Sequence, residues 1–350
     1  MCKKYTFFLL FLISFSVLSQ QSYYNKIDFS KSGLALKNDL ATLIINTHTN
    51  FLSYTPGVWN ASKQTDVNPK NATQVMLIYG FSNAGTTART RGVNDNGGNV
   101  GDWNREHTYP RSLGNPNLGT SGAGADAHHL RPSDVRYNGQ RGNKPFADGT
   151  GNSGTVAQGW FPGDEWKGDV ARMIMYMYLR YNNQCLPSVV GIGSATSTPD
   201  DMIDLFLKWN AEDPVSILED NRNTYHENTN NTYAQGNRNP FIDNPFLATK
   251  IWGNPPSGTP KPEDRWGNLT LDNTTFFKLK IYSNPKQRDF LFLNRKADFT
   301  LEVFNVIGKK IISKEVKNKK NIDISSLKNG IYILKISQLT GSITQKFLKL

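Results

Sequence analysis

The feature that most limits what this chain can fold into is a change of hydrophobic period near residue 253. Before it, the strongest segments repeat apolar residues at helical spacing; from Lys278 onward they alternate in short runs. Gly253 to Asp272 lies between them, dense in Pro, Gly and Asn, and reads as a linker. The 350 residues therefore divide into two units of the α+β class. The expected boundaries are 1–20 for a leader, 21–255 for a mainly helical domain, 256–274 for the linker and 275–350 for a small β-sandwich. Its predicted strands are Lys278–Tyr282, Phe290–Leu293, Phe299–Phe304, Lys310–Ile312, Ile322–Ile324, Ile331–Ile336 and Thr344–Leu350, turned by Gly308, Asn329-Gly330 and Gly341.

The leader has the form of a signal peptide. Lys3 and Lys4 precede an apolar run from Phe7 to Leu18, and Ser19-Gln20-Gln21 offers a cleavage site. The run is short for a bilayer span, and no other stretch is apolar enough for one. Removal of the leader takes Cys2 with it. Cys185 then stands alone in an apolar helical context, which excludes an internal disulfide and points to core packing. The net charge of +11 invites a nucleic-acid reading, but its location does not support one. From Phe276 onward there are 16 Lys and Arg against 5 Asp and Glu, while the rest of the chain has 24 of each. A lysine-studded β-domain that resists edge pairing accounts for that excess.

Within the first unit, Leu36, Leu40, Leu43 and Ile44 mark a helix, and Val75–Tyr79 a strand. Ala127–Leu130 is a predicted strand, followed by a helix over Ser133–Arg141 capped by Ser133. Lys167–Tyr181 is the clearest helix, with Val170, Met173, Ile174, Met177 and Tyr178 as its core stripe. Further helices are expected over Asp201–Asn210 and from Asp213 through Arg222. Gln235 to Phe241 reads as a loop that caps helices and fills the core with hydrogen bonds.

Three stretches concentrate chemistry: Asn104–Pro110 (NREHTYP), Asp126–Pro132 (DAHHLRP) and Tyr137–Asn143 (YNGQRGN). They hold three of the five histidines. Phosphodiester hydrolysis needs a base active near neutral pH, which suits an imidazole, and a hard cation on oxygen ligands to neutralise phosphate. His107 can supply the base, Glu106 and Asn138 the ligands, and neighbouring arginines a bidentate phosphate contact. Adjacent residues of an extended chain point to opposite sides, so Glu106 and His107 can face different partners.

Five motifs in order resemble the bacterial endonuclease I family, a branch of the His-Me finger, or ββα-metal, nucleases. They are Trp103–Pro110, Asp126–Pro132, Asn138–Asn143, Lys167–Arg172 and Gln235–Phe241, and they span roughly residues 30 to 255. The resemblance implies that His107 is the general base and that Glu106 and Asn138 hold Mg²⁺, with Mn²⁺ or Ca²⁺ able to substitute. It implies cutting of DNA, with RNA left open, at little sequence preference, leaving 5′-phosphate and 3′-hydroxyl ends. Relatives often carry a phosphate-clamping arginine in the loop between base and metal helix. This chain has none there: after Arg111 the next arginine is Arg131. Arg131, Arg141 and Arg172 are the candidates, with Arg105 as a further nucleic-acid contact; His128 and His129 are expected to pack under the site and orient the metal helix. The tail motifs Ile281–Pro285, Val303–Lys309 and Leu327–Ile333 resemble the type IX secretion sorting domain, which implies export, a partner in that secretion machinery and removal of the tail; the secreted protein is expected to be a monomer. Two other functions remain open on the residues alone: a zinc-dependent hydrolase using His107, His128 and His129, and a noncatalytic surface protein that binds nucleic acid.

Overall fold

The computed structural model describes residues 22–157, 159–267, 281–283, 289–305, 308–338 and 341–349. The expected signal peptide, Cys2 and the end of the expected linker lie outside them. Two compact units are resolved, meeting at Trp266 and Gly267.

The first unit is built around helix α4 (Lys167–Tyr181), whose residues Gly168 to Leu179 are all buried. The sequence marks one apolar stripe, but the helix is covered on every side, as befits a central element. Helix α1 (Gly33–Thr47) packs on α4 and buries Leu36, Leu40 and Ile44, one side chain per turn. Helix α2 (Trp59–Thr65), strands β1 (Val67–Asn68), β2 (Asn71–Met76) and β3 (Thr90–Gly92) follow; the three strands form one small sheet. The predicted Val75–Tyr79 strand thus ends early, because the chain turns at Tyr79, whose φ is 70°.

Strand β4 (Trp103–His107) pairs antiparallel with β5 (Leu130–Asp134), and helix α3 (Val135–Arg141) leaves β5 at once. The Ala127–His129 segment is a short helical turn instead of a strand. Asp134, not Ser133, caps α3: its carboxylate accepts from the amides of Arg136 and Tyr137 at 2.9 and 3.0 Å. Ser133 is occupied in the ladder opposite Asn104. A hairpin of β6 (Gly154–Val156) and β7 (Gly159–Phe161) precedes α4. Beyond it come α5 (Pro187–Val190), α6 (Asp204–Glu212), α7 (Ile217–Glu227), α8 (Pro240–Asp243) and α9 (Phe246–Trp252). Helix α7 starts later than the sequence suggests because Ser216 and Glu219 close a reciprocal capping box.

The segment read as a linker is in part a strap on this unit. Trp266 is buried, with its ring 5.1 Å from both Tyr24 and Phe29. Arg265 clasps Asp220 at 2.7 Å and donates to the Ile242 carbonyl at 2.9 Å, and the Phe246 amide donates to the Glu263 carbonyl. Pro and Gly content signals irregular backbone, which need not be loose.

The second unit has strands β8 (Ile281–Ser283), β9 (Phe290–Asn305), β10 (Lys310–Asp323), β11 (Gly330–Gln338) and β12 (Gly341–Lys349). Hydrogen bonding joins the described strands in one antiparallel set, ordered β10-β9-β11-β12 with β8 also on β9, so the C-terminal unit is the β-sheet unit expected. Runs expected as separate strands merge because irregularities in the β9–β10 register, such as that between Val316 and Lys319, let pairing resume. Leu291, Leu293, Leu301, Val303, Leu334 and Ile336 form its core. No described helix is long and apolar enough to cross a membrane.

A chain ending after Gly267 is expected to keep the melting temperature of the first unit. Trp266→Ala should cost about 3–5 kcal/mol, which lowers Tm by roughly 5–20 °C for a domain of this size. Thermal melts of the two variants check it; equal Tm values would mean that the strap contributes nothing.

Candidate active site

The β4–β5 ladder divides the NREH motif between two environments. Successive side chains alternate, so Asn104 and Glu106 leave one side of β4, and Arg105 and His107 the other. Helix α3 follows β5 and carries Asn138 and Arg141 beside β4. The result is a cleft of about 560 Å³, lined among others by Asn104, Arg105, Glu106, His107, Asn138 and Arg141.

His107 is tied at Nε2 to the Gly124 carbonyl, 3.0 Å away. A carbonyl only accepts, so the proton sits on Nε2 and the lone pair on Nδ1. Desolvation, with His129 next to it and Arg111 and Arg105 near, holds the imidazole well below its usual pKa and hence neutral at pH 7. Gly124 must be glycine for this contact: a Cβ there would meet the Gly119 carbonyl oxygen at 2.1 Å.

Glu106 is buried and its Oε1 accepts from the Tyr79 hydroxyl at 2.9 Å. Arg141 Nε lies 3.5 Å from the same oxygen without making a hydrogen bond. Burial outweighs these partners and pushes the carboxyl up to about 7. Asn138 donates its Nδ2 to Asn104 Oδ1 at 2.7 Å, which fixes the amide and leaves Asn138 Oδ1 as an acceptor at the cleft. A buried, under-compensated carboxylate beside a fixed amide oxygen is an oxygen donor set suited to a hard cation.

The arginines sort sharply by exposure. Arg131 is 1% exposed, bound to Asp66 at 2.6 Å and Asp169 at 2.8 Å. Arg172 is 0% exposed and clasps Glu219 through Nε and Nη2 at 2.6 and 2.8 Å. Neither reaches a substrate, which corrects the expectation for both: their elements are covered on all sides, so their charges are answered by buried carboxylates. Arg141 lines the cleft, but its Nη groups donate to the carbonyls of His107, Thr108 and Gly142 and so hold the backbone of the motif. Arg105 lines the cleft, and so does Arg111, which the sequence marks only as the last arginine before the loop. Arg111 is exposed and makes no described ion pair. Tyr54, also in the cleft, carried no signal, being 53 residues from His107.

His128 and His129 stand behind the site, but neither bonds to α3. His128 Nε2 lies 3.2 Å from the Asn237 carbonyl and side-chain oxygens, and His129 Nε2 lies 2.8 Å from the Ala123 carbonyl. The His129 ring packs edge-on to His107 at 5.5 Å. Asp126 anchors this layer, accepting from the hydroxyls of Tyr176 and Tyr181 and from Gln235. The Gln235–Phe241 loop is the structural element expected: Asn237 donates to the Tyr176 hydroxyl at 2.8 Å, and Asn239 caps α8. Cys185 is free and buried, as core packing requires. Among the described residues, no three His, Cys, Asp or Glu side chains gather as a metal-binding group, so the zinc alternative lacks a ligand set.

Comparison with known proteins decides the family. Its profile, described as Endonuclease I, matches residues 32–246. The chain belongs to that family. A secretion system C-terminal sorting domain matches residues 280–349. The chain is 44% identical over 248 residues to an extracellular ribonuclease of Bacillus amyloliquefaciens, covering 66% of this chain and 78% of the relative. It is 43% identical over 235 residues to an extracellular ribonuclease of Bacillus subtilis, covering 63% and 75%. The protein is thus a secreted nuclease carrying a type IX sorting domain.

Burial pulls His128 and His129 down to about 4 in the folded nuclease, despite the attraction of Asp126. In the unfolded chain both titrate near the ordinary value of about 6.5, so the unfolded state binds protons first as pH falls. Their contribution is complete above about pH 6.5 and is lost progressively toward about pH 4. Melts across that interval should show Tm falling steadily with acidification; a flat profile would mean that these rings are solvated.

Proposed function

We propose that this nuclease hydrolyses phosphodiester bonds of both DNA and RNA with little sequence preference, His107 acting as general base beside a Mg²⁺ held by Glu106 and Asn138. Mn²⁺ or Ca²⁺ would fit the same oxygens. The observation that carries the reading is the tautomer of His107: with Nε2 spent on Gly124, Nδ1 is left to take a proton from water in the cleft. The bound cation would supply neutralisation of the phosphate and of the departing 3′-oxygen. The chain's own groups do the rest. Gly124 and His129 hold the imidazole in place, Asn104 fixes the Asn138 amide, and Arg141 fixes the backbone that presents Glu106 and His107. Water entering opposite the 3′-oxygen leaves 5′-phosphate and 3′-hydroxyl ends. RNA belongs in the substrate range because two relatives are ribonucleases by name, and nothing in this route uses a 2′-hydroxyl.

The phosphate contact falls to Arg111 and Arg105, the arginines at the cleft whose guanidinium groups are not enclosed by carboxylates. Sequence tolerance fits contacts of this type, which read the backbone and not the bases.

Digests of plasmid DNA and of ribosomal RNA with and without EDTA test the substrate range; cleavage of both that EDTA abolishes is expected. His107→Ala should lower turnover by about 10² to 10⁴ while leaving the fold intact. Glu106→Ala and Asn138→Ala should each raise the Mg²⁺ concentration for half-maximal rate, with partial rescue at high Mg²⁺. An unchanged metal requirement in both would move the ligand assignment elsewhere.

Arg111→Ala and Arg172→Ala should differ in kind. The first should weaken substrate binding and flatten its salt dependence by about one phosphate contact. The second strands buried Glu219 and should cost about 3–5 kcal/mol of stability. Salt-dependent binding and denaturant unfolding, run on both, separate the roles; a stable Arg172→Ala protein with impaired binding would reverse them.

A further inference from the structure

Besides the His107 imidazole, Tyr54 is the one aromatic side chain among the residues lining the cleft. Its ring centroid lies 5.5 Å from that of His107, tilted by 32°. The surrounding wall is closely packed. Arg105 stacks on the Tyr54 ring at 3.5 Å and on Trp59 at 4.2 Å. Its Nη1 donates to the Tyr54 carbonyl and, at 3.0 Å, to the Thr55 hydroxyl. Trp59 meets the buried Trp103 edge-on at 5.0 Å. Beneath the ring, Ser53 Oγ accepts from the Gly57 amide at 3.1 Å and secures the Tyr54–Val58 turn. The Tyr54 ring is held by Arg105 and by packing against Val58, Ala125 and Leu130, while its hydroxyl makes no hydrogen bond among the described residues and the half-buried ring lines the cleft.

We propose that Tyr54 is a nucleobase-binding platform for the nucleotide beside the scissile phosphate, and that the nuclease therefore favours unpaired or unstacked strands. The proposal rests on the nuclease reading given above. Arg105 and His107 leave β4 on the same side and meet Tyr54 from the strand, and the part of the half-buried ring left uncovered by them and by the apolar cluster faces the cleft. A separation of 5.5 Å from the base imidazole is between one and two base steps of about 3.4 Å, which places the ring within reach of a flanking base. Every base has a π-face, so a phenol ring offers affinity without reading sequence. A base held in a duplex must leave its stack to lie there, and an unpaired one has less to give up. Arg111, 5.9 Å from the same ring, adds positive charge for that nucleotide's phosphate.

The test uses the full-length protein and short single-stranded oligonucleotides with one ordinary phosphodiester, the other linkages being phosphorothioates. One set keeps all bases, and others are abasic on one side or the other of the cleavable bond. Tyr54→Ala should raise KM on the intact strand by about 5- to 100-fold, the range of one base–aromatic stack, with kcat little changed. Tyr54→Phe should behave as wild type. Wild type should lose a similar factor when the base on one side is absent, and Tyr54→Ala should lose nothing further on that substrate. On matched duplexes the wild-type KM should be higher, and Tyr54→Ala should narrow the gap. An unchanged KM with lower kcat, or an abasic penalty that persists in Tyr54→Ala, would overturn the proposal and make Tyr54 a support for His107 alone. Failure of the wild type to cut any of these strands, or plasmid and ribosomal RNA, would instead overturn the nuclease mechanism beneath it.

Discussion

The register of one two-stranded ribbon determines nearly everything else at the site. Glu106 lies opposite Arg131, and His107 opposite Leu130, across the antiparallel pair β4–β5. All five residues of β5 are buried, charged side chains included. A slip of one residue would send Glu106 to the His107 side and bury the imidazole. An isolated pair of strands is marginal in water, so the register has to be pinned from outside. Arg131 does this, bridging Asp66 after α2 and Asp169 on α4, while Arg222 from α7 closes on Asp66 from the other side. Four elements distant in sequence thus meet on one ionic lattice beside the β4–β5 pair.

Such a lattice contributes specificity more than net stability, since each buried charge must be desolvated before its partner repays it. Arg172 and Glu219 extend it, with Asp169 between the two arginines. The Asp126 layer repeats the device with mostly neutral partners: two tyrosine hydroxyls, a glutamine amide and the His128 backbone amide donate to one carboxylate, and Arg180 lies 3.3 Å from it. Above both layers the cleft remains polar and open. The arginines are therefore separated by depth, Arg131, Arg172 and Arg222 being enclosed by buried carboxylates and Arg111 exposed at the cleft.

That depth is what the sequence concealed. The NREH, DAHHLRP and YNGQRGN motifs, the α4 helix and the two-unit division were legible because spacing and period are local properties. The arginines were not: Arg111, Arg131 and Arg172 are chemically identical on paper, and only the three-dimensional positions of Asp66, Asp169 and Glu219 tell an enclosed arginine from an exposed one. Tyr54 was invisible for the same reason, reaching His107 from 53 residues away. Asn104 could have been found, since period two puts it on the Glu106 side of the strand. The Pro- and Gly-rich 253–266 segment misled because composition reports backbone irregularity, while Trp266 and Arg265 determine where that backbone is tied.

The isolation of Cys185 has a consequence for where this protein can work. It is the one cysteine beyond residue 2, and it is buried. The folded nuclease unit therefore holds its shape without a covalent cross-link, by its buried apolar core and the hydrogen bonds and ion pairs packed into it. Export does not then oblige the protein to meet a thiol oxidase or a disulfide isomerase on its way out. Outside the cell, its shape rests on no disulfide, so the ambient reduction potential does not enter its stability.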